Sequence, residues 1–391
     1  MRVKHGACSL GAMRIGFNAR LLASDDRRGF NRYAAGLARA LQASGRCEVV
    51  LFADAPIHPV HGLGALEQRA EPVRPQWRWQ HAWLPAALRE ARVDLFHAPA
   101  HWGVPLRSHC PVVATIHDVA DRERPQDFAG VSLRAVMRHR FEEWLVVRRA
   151  ARILTVSQYS ARSIERYLRV TPGRIAVTVE GGEPADASAA SDDRSSADRI
   201  AAPARLGLVP PYFIAVGGFE ARKNPGAVVR ALAALGESER TTVAFVGRRT
   251  RDADALRVAA LATGVDRWVQ VLGEMPDADL TTLLAGAVAL LMPSRLEGFG
   301  LPVVEAMHAG TPSIVSDAGS LPEIAGDAGV VVPVDDAAAL AAAMRRLVAE
   351  PATRAALAAH ARARAARFTW KAAAEQTLAV YEQVLRVASG E

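Results

Sequence analysis

Cysteine is scarce in this sequence. Cys8, Cys47 and Cys110 are scattered singly, with no CxxC pair. That argues against a zinc ribbon or a thioredoxin-like redox centre and fits a reducing, cytoplasmic compartment. No apolar run approaches the ~18 residues of a membrane span, and stretches such as Ala285–Pro293 have the length of buried strands. Residues 1–12 lack the continuous apolar stretch of a signal peptide. They read as a disordered or mis-started extension, because Met13 opens the first clean strand pattern. The GxGxxG dinucleotide fingerprint is also missing. What is present is a folded composition: 391 residues, 50% hydrophobic, 23% charged, with 29 Gly and 22 Pro. This excludes disordered, collagen-like and coiled-coil chains, and the length implies two or three domains.

The net charge of +7 is unevenly spread: residues 1–180 carry +11 and residues 181–391 carry −4. A basic half fits a partner bearing negative charge (nucleic acid, anionic lipid or a phosphorylated acceptor), or an Arg-rich surface that is merely solvated. Nucleic acid is disfavoured, since the basic residues are dispersed rather than ranged along one face with stacking aromatics.

Twelve short β-rich runs alternate with helical patterns. They are Met13–Arg20, Cys47–Ala53, Val93–Pro99, Pro111–Asp118, Arg152–Gln158, Arg174–Val179, Tyr212–Gly217, Thr242–Gly247, Val269–Leu272, Ala287–Pro293, Ser313–Ser316 and Val330–Val334. Such alternation implies parallel sheets covered on both faces. Twelve strands exceed one comfortable doubly wound sheet, so the expected fold class is α/β with two Rossmann-like domains. The expected division is an N-terminal domain at 13–184, a linker at 185–204 in an Ala/Ser/Asp-rich stretch, a C-terminal domain at 205–369 and a final helix at 370–391. That helix is placed to pack back toward the N-terminal domain. Ligands in such sheets bind outside the carboxyl ends of the strands, so functional residues are sought just after strands, at the cleft between the domains.

Four stretches qualify. In Arg295–Thr311, Gly298 and Gly300 permit close backbone approach and Pro302 fits the first turn of a helix. Phe299 and Leu301 lie where free amide groups form an anion site. Glu297 in the loop and Glu305 in the helix are then suited to sugar or ribose hydroxyls rather than to the anion. The alternative is an acidic first turn that stabilises the helix. In Gly217–Pro225, Gly218 clears the strand end while Arg222 and Lys223 bring two cations to the cleft edge; the alternative is a solvated basic turn. Arg27–Tyr33, with Gly29, Asn31 and Arg32, reads as a flexible loop at the cleft rim. His117 and Asp118 end a strand, so His117 points toward the cleft, where it can bind a hydroxyl or steady charge. Asp277 and Asp279 fit helix N-capping rather than metal binding. Gln76–Trp83 reads either as a membrane or carbohydrate surface or as a Trp-rich helix packed on the core.

Together these stretches resemble the family-4 retaining glycosyltransferases of the two-domain GT-B fold, from Met13 to Val387. The E-x7-E motif Glu297–Glu305, followed by Ala306–Pro312, is the most specific part of the likeness. The resemblance implies a nucleotide diphosphate sugar donor, with Arg222 and Lys223 on the diphosphate and Glu297 near the hexose. It places the Phe299–Leu301 amides close to hexose and phosphate, Glu305 on the ribose, His117 at the reaction centre and Gly29 near the diphosphate. Asn31, Arg32 and Asp118 fall on the acceptor side. It further implies retention of anomeric configuration, no metal or other cofactor, and a glycan or lipid-linked acceptor. Polysaccharide or lipopolysaccharide synthesis at the inner face of the cytoplasmic membrane follows, with mannose as the first candidate hexose. Asn31 and Gly218 depart from the commoner family pattern. The alternatives are a nucleotide-sugar epimerase on the same fold and a non-catalytic sugar-nucleotide-binding protein.

Overall fold

The structure is a computed structural model that describes residues 13–27, 29–128, 130–182, 203–248 and 250–390. Among these, thirteen strands form two parallel sheets. The first contains β1 (Met13–Asn18), β2 (Cys47–Ala53), β3 (Glu67–Ala70), β4 (Leu95–Ala98), β5 (Val112–Thr115), β6 (Ala150–Thr155) and β7 (Ile175–Val177), in the order β3-β2-β1-β4-β5-β6-β7. The second contains β8 (Tyr212–Val216), β9 (Thr242–Val246), β10 (Val269–Gly273), β11 (Leu290–Met292), β12 (Ser313–Ser316) and β13 (Gly329–Val332), in the order β10-β9-β8-β11-β12-β13. The expected twelve runs are all strands, each shorter than or close to its reading. The additional strand, β3, has the sequence EQRA and sits at the sheet edge. One face and both ends of an edge strand meet water, so it carries no apolar run to reveal it.

The central strands are buried on both faces: every residue of β4, β5, β11 and β12 is inaccessible. Their near-continuous apolar runs are what a sheet covered by helices on each side requires. In each sheet the strand order reverses at its first strand. The two switch points lie between β1 and β4 and between β8 and β11, and a ligand crevice is expected at their carboxyl ends.

The helices that matter for the site are α1 (Gly29–Ala43), α2 (Leu133–Arg149), α3 (Gln158–Leu168), α4 (Pro225–Ala234), α5 (Asp277–Gly286), α6 (Leu301–His308) and α7 (Trp370–Ser389). The reading of a Trp-rich helix packed on the core fits Trp79 and Trp83: Trp79 is buried, its Nε1 donates to Ala53 O at 3.0 Å, and it stacks on Trp83. Of the three tryptophans there, Trp77 is the exposed one. The expected extension at 1–12 and nearly all of the expected linker fall outside the described residues. Gly182, near the end of the expected first domain, donates its N–H to Phe368 O at 3.0 Å.

Helix α7 begins under a cap, with Thr369 accepting from Ala372 N at 3.0 Å. It buries Trp370, Leu378 and Tyr381. Trp370 lies 6.4 Å, ring to ring, from Tyr33 of α1. A buried hydrogen-bond chain ties the helix to the first sheet: Tyr381 OH to His97 Nδ1 (2.6 Å), His97 Nε2 to Thr115 Oγ1 (2.9 Å), and Thr115 Oγ1 to Tyr33 OH (3.0 Å). Burial pushes His97 down to about 3, so the ring is neutral at ordinary pH. The last helix of the chain is thus bound to the first domain. Trp370→Ala is expected to lower stability by about 3–5 kcal/mol, read as a lower urea midpoint. An unchanged midpoint would show that α7 adds nothing to the fold.

Candidate active site

The β8–β11 switch point sets the site. The chain leaving β8 turns through Gly217 and Gly218 into the segment Ala221–Lys223, while the chain leaving β11 runs through Ser294–Gly300 into α6. Asn224 joins the two turns, donating from Nδ2 to Pro293 O and to Asp335 Oδ1, each at 3.1 Å. Ser320 holds the second loop by donating to Glu297 O (3.0 Å) and Phe299 O (2.8 Å). Gly300 ends that loop with φ +108°, in the left-handed region that glycine adopts without strain, and serves as N-cap of α6.

Glu297, Arg222 and Lys223 converge. Lys223 Nζ donates to Glu297 Oε1 at 2.7 Å, and Arg222 Nη1 lies 3.3 Å from Oε2 while donating to Leu296 O at 3.0 Å. Glu297 is buried. Burial pushes its carboxyl up, but Lys223 and Arg222 outweigh that and hold it below the ordinary range. Burial lowers Arg222 as well, yet Glu297, Asp118 and Glu220 raise it overall. The Arg222 guanidinium and the Glu297 carboxylate are thus each held in the charged form. Lysine is rare in this chain: Lys4, Lys223 and Lys371 against 48 basic residues in all. A compact ammonium at this position stands out from the arginine background.

The first domain closes over this cluster. Ser157 and Ser160 donate to Gly298 O at 2.7 and 3.1 Å. A side chain at Gly298 would meet His117 O at 2.6 Å, so only glycine lets the two loops approach. Glu323 accepts from Gln158 N (2.9 Å) and Tyr159 N (3.1 Å), capping α3 across the cleft. Arg32 Nη1 pairs with Glu305 Oε1 at 2.6 Å, and Arg27 pairs with Asp277. This corrects the reading of Asp277 as an N-cap: Pro276 holds that position, no side chain caps α5, and the Asp277 carboxylate is used across the cleft.

The remaining expected residues divide. His117 lines the cleft wall, but Nδ1 is bonded to Glu180 Oε1 (2.8 Å) and Nε2 to Pro99 O (3.1 Å). A hydroxyl reaches the ring only by displacing one of them. Asn31 does not face the cleft. Its amide donates to Leu21 O (2.9 Å), Asp26 O (2.8 Å) and Ser24 Oγ (3.2 Å), holding its own loop. Asp118 caps Ala120 N at 3.1 Å and contributes charge to Arg222. Gly29 opens α1 with nothing packed against it. Phe299 and Leu301 flank Gly300 on the loop below. Asn224, Ser157, Ser320 and Glu323 were missed as supports. Only Asn224 left a signal, by its place between Lys223 and a helix-starting Pro225. A groove of about 860 Å³ lies between α1 and α7 and meets the rim of the site at Arg27, Arg32 and Asp277.

Among the described residues, one group elsewhere brings together the donor types of a metal site, Asp121, His139 and Glu143. The two carboxylates push the His139 ring up to about 9.

Residues 27–181 match the family described as Glycosyltransferase Family 4, and residues 198–364 match Glycosyl transferases group 1. The chain belongs to these family-4, group 1 glycosyltransferases. The O-antigen chain mannosyltransferase B of Escherichia coli is 30% identical over 309 residues, covering 78% of this chain and 77% of that protein. A D-inositol 3-phosphate glycosyltransferase of Jonesia denitrificans is 30% identical over 325 residues, covering 78% and 75%. HepE of Anabaena, solved in complex with UDP and glucose, superposes with a TM-score of 0.74 at 19% identity, covering 95% of this chain and 99% of that one. The fold of this glycosyltransferase is accordingly GT-B.

The depressed Glu297 carboxyl has a definite pH signature. The unfolded chain binds a proton near 4.5 and the folded glycosyltransferase only below that, so the stability Glu297 contributes is present above the unfolded value and is lost as pH falls through the folded one. Glu297→Gln is expected to be less stable by about 1–3 kcal/mol at pH 7, with the gap to wild type closing as pH drops below about 4.5. Parallel thermal melts from pH 7 to pH 3 would show it, and a gap independent of pH would contradict the assignment.

Proposed function

We propose that this glycosyltransferase moves a hexose, with mannose as the first candidate, from a nucleoside diphosphate sugar to a glycan or lipid-linked acceptor. Transfer proceeds with retention of anomeric configuration and without a metal. The observation that carries this reading is the convergence of Lys223 and Arg222 on Glu297 beside the N-terminus of α6. Breaking the anomeric C–O bond moves negative charge onto the departing diphosphate. Two fixed cations and the α6 amides at that place stabilise the transition state more than the bound donor. The same two cations supply the charge that a divalent metal would otherwise bring.

Glu297 holds Lys223 and Arg222 in position while the site is empty, and its carboxylate faces the hexose when the diphosphate takes over the cations. Glu305 meets the ribose once Arg32 gives way. Closure of the first domain through Gly298, Ser157 and Ser160 excludes water, which matters because hydrolysis competes with transfer. Retention follows the family pattern: the acceptor hydroxyl attacks from the face the diphosphate leaves, and a donor phosphate oxygen takes its proton. The mannosyl assignment is supported by the Escherichia coli O-antigen relative; the UDP complex of HepE keeps UDP donors in view.

The expected outcome of Lys223→Ala or Arg222→Ala is a loss of about 10²–10³ in kcat with little change in melting temperature. Turnover at the wild-type rate by either variant would remove the diphosphate assignment. A thermal-shift screen of GDP-, UDP- and dTDP-sugars, followed by transfer assays with the stabilising donor, identifies the hexose. Stabilisation by GDP-mannose is expected, and a response confined to UDP- or dTDP-sugars would overturn mannose.

A further inference from the structure

Helix α2 turns both of its acids inward and a second apolar stripe outward. Its acidic residues face the protein: Glu142 accepts from Gln80 Nε2 (3.0 Å) and Gly103 N (3.2 Å), and Glu143 is buried against Arg122. His139 lies on the same inner side, 3.5 Å from both Asp121 and Glu143. Leu145 and Val146 face the core beside them, but four other large apolar residues face out. Leu133, Met137, Phe141 and Trp144 are 73%, 64%, 44% and 53% exposed, and their spacing of four, four and three places them in one stripe. Phe141 and Trp144 stack at 5.8 Å. Five exposed arginines, Arg134, Arg138, Arg140, Arg148 and Arg149, border the stripe, and none is ion-paired among the described residues.

An outward face that is apolar along its centre and cationic at its margins, with every acid turned inward, matches an anionic lipid surface. The apolar stripe enters the boundary between headgroups and acyl chains, and the guanidinium groups meet lipid phosphates. A second copy fits poorly, since a two-fold contact through this face would set the same arginines against themselves. The inner side of α2 also leads to the cleft. The His139 ring meets His101 at 4.7 Å, His101 meets Phe30 at 6.1 Å, and Phe30 meets His117 at 4.6 Å.

We propose that α2 seats the protein on an anionic membrane surface and so turns the acceptor side of the cleft toward lipid-borne acceptors. The second half of this inference rests on the transferase reading above; the docking itself does not.

The test is co-sedimentation of the full chain with vesicles of phosphatidylglycerol and phosphatidylcholine. Wild type is expected to pellet with the anionic vesicles at low salt. The triple variant Leu133→Ser, Met137→Ser, Trp144→Ser should bind at least about tenfold more weakly, and Arg134→Glu with Arg138→Glu should weaken binding and flatten its salt dependence. Brominated phosphatidylglycerol should quench wild-type fluorescence, and most of that quenching should vanish in Trp144→Phe, a change too mild to unfold the chain. Stabilisation by nucleoside diphosphates should persist in the triple variant, so failure of docking and failure of the transferase reading remain distinguishable. Wild type that stays in the supernatant, a triple variant that pellets equally, quenching retained in Trp144→Phe, or light scattering showing that the stripe instead joins two copies would overturn the proposal.

Discussion

A buried carboxylate between two cations organises this protein. Glu297 is out of water, and it stays ionised there because Lys223 and Arg222 reach it from the neighbouring strand end. Removing Glu297 leaves two neighbouring cations without their shared carboxylate, whereas removing one cation leaves the other still paired with it. The cluster is therefore a constraint on everything around it. The β8 and β11 turns must arrive side by side, which the reversal of strand order provides. Asn224 must join them, and the Ser294–Gly300 loop must be held by Ser320 rather than left to move.

The same loop is where the two domains touch. Gly298 presents its carbonyl to Ser157 and Ser160 and its empty Cα face to His117. Arg32–Glu305 and Arg27–Asp277 close the opposite rim. Under the proposed function, donor binding and domain arrangement share a group: Glu305 would meet the ribose, and it forms the interdomain pair with Arg32. A ligand that takes Glu305 from Arg32 alters the bond that holds the domains together. The last helix, fastened to the first domain through Trp370 and the Tyr381–His97 chain, keeps the domains connected while the rim contacts exchange.

Much of this was legible in the sequence. Apolar runs buried on both faces are long enough to be seen one by one, so twelve strands and the two-sheet architecture could be read directly. The polar edge strand β3 could not, because it buries almost nothing. Glu297, Arg222 and Lys223 were legible because glycines and strand ends mark them. Their mutual contact was not, since it joins residues more than seventy positions apart. Asn31 and Asp277 illustrate the limit from the other side. Each has a sound local reading, at the rim of the cleft and as a cap, but the Asn31 amide is taken up by its own loop and the Asp277 carboxylate by Arg27 across the cleft. The outward stripe of α2 was hidden for a similar reason: helical spacing identifies an apolar face but not which side the core lies on.

Calorimetry of nucleoside diphosphate binding to wild type and Glu297→Gln tests the central cluster most directly. If Glu297 and the diphosphate compete for Lys223 and Arg222, neutralising the carboxylate frees both cations, and the variant should bind the nucleotide more tightly while transferring sugar more slowly. Equal or weaker binding by Glu297→Gln, in a variant that is still folded, would mean that these cations do not receive the diphosphate.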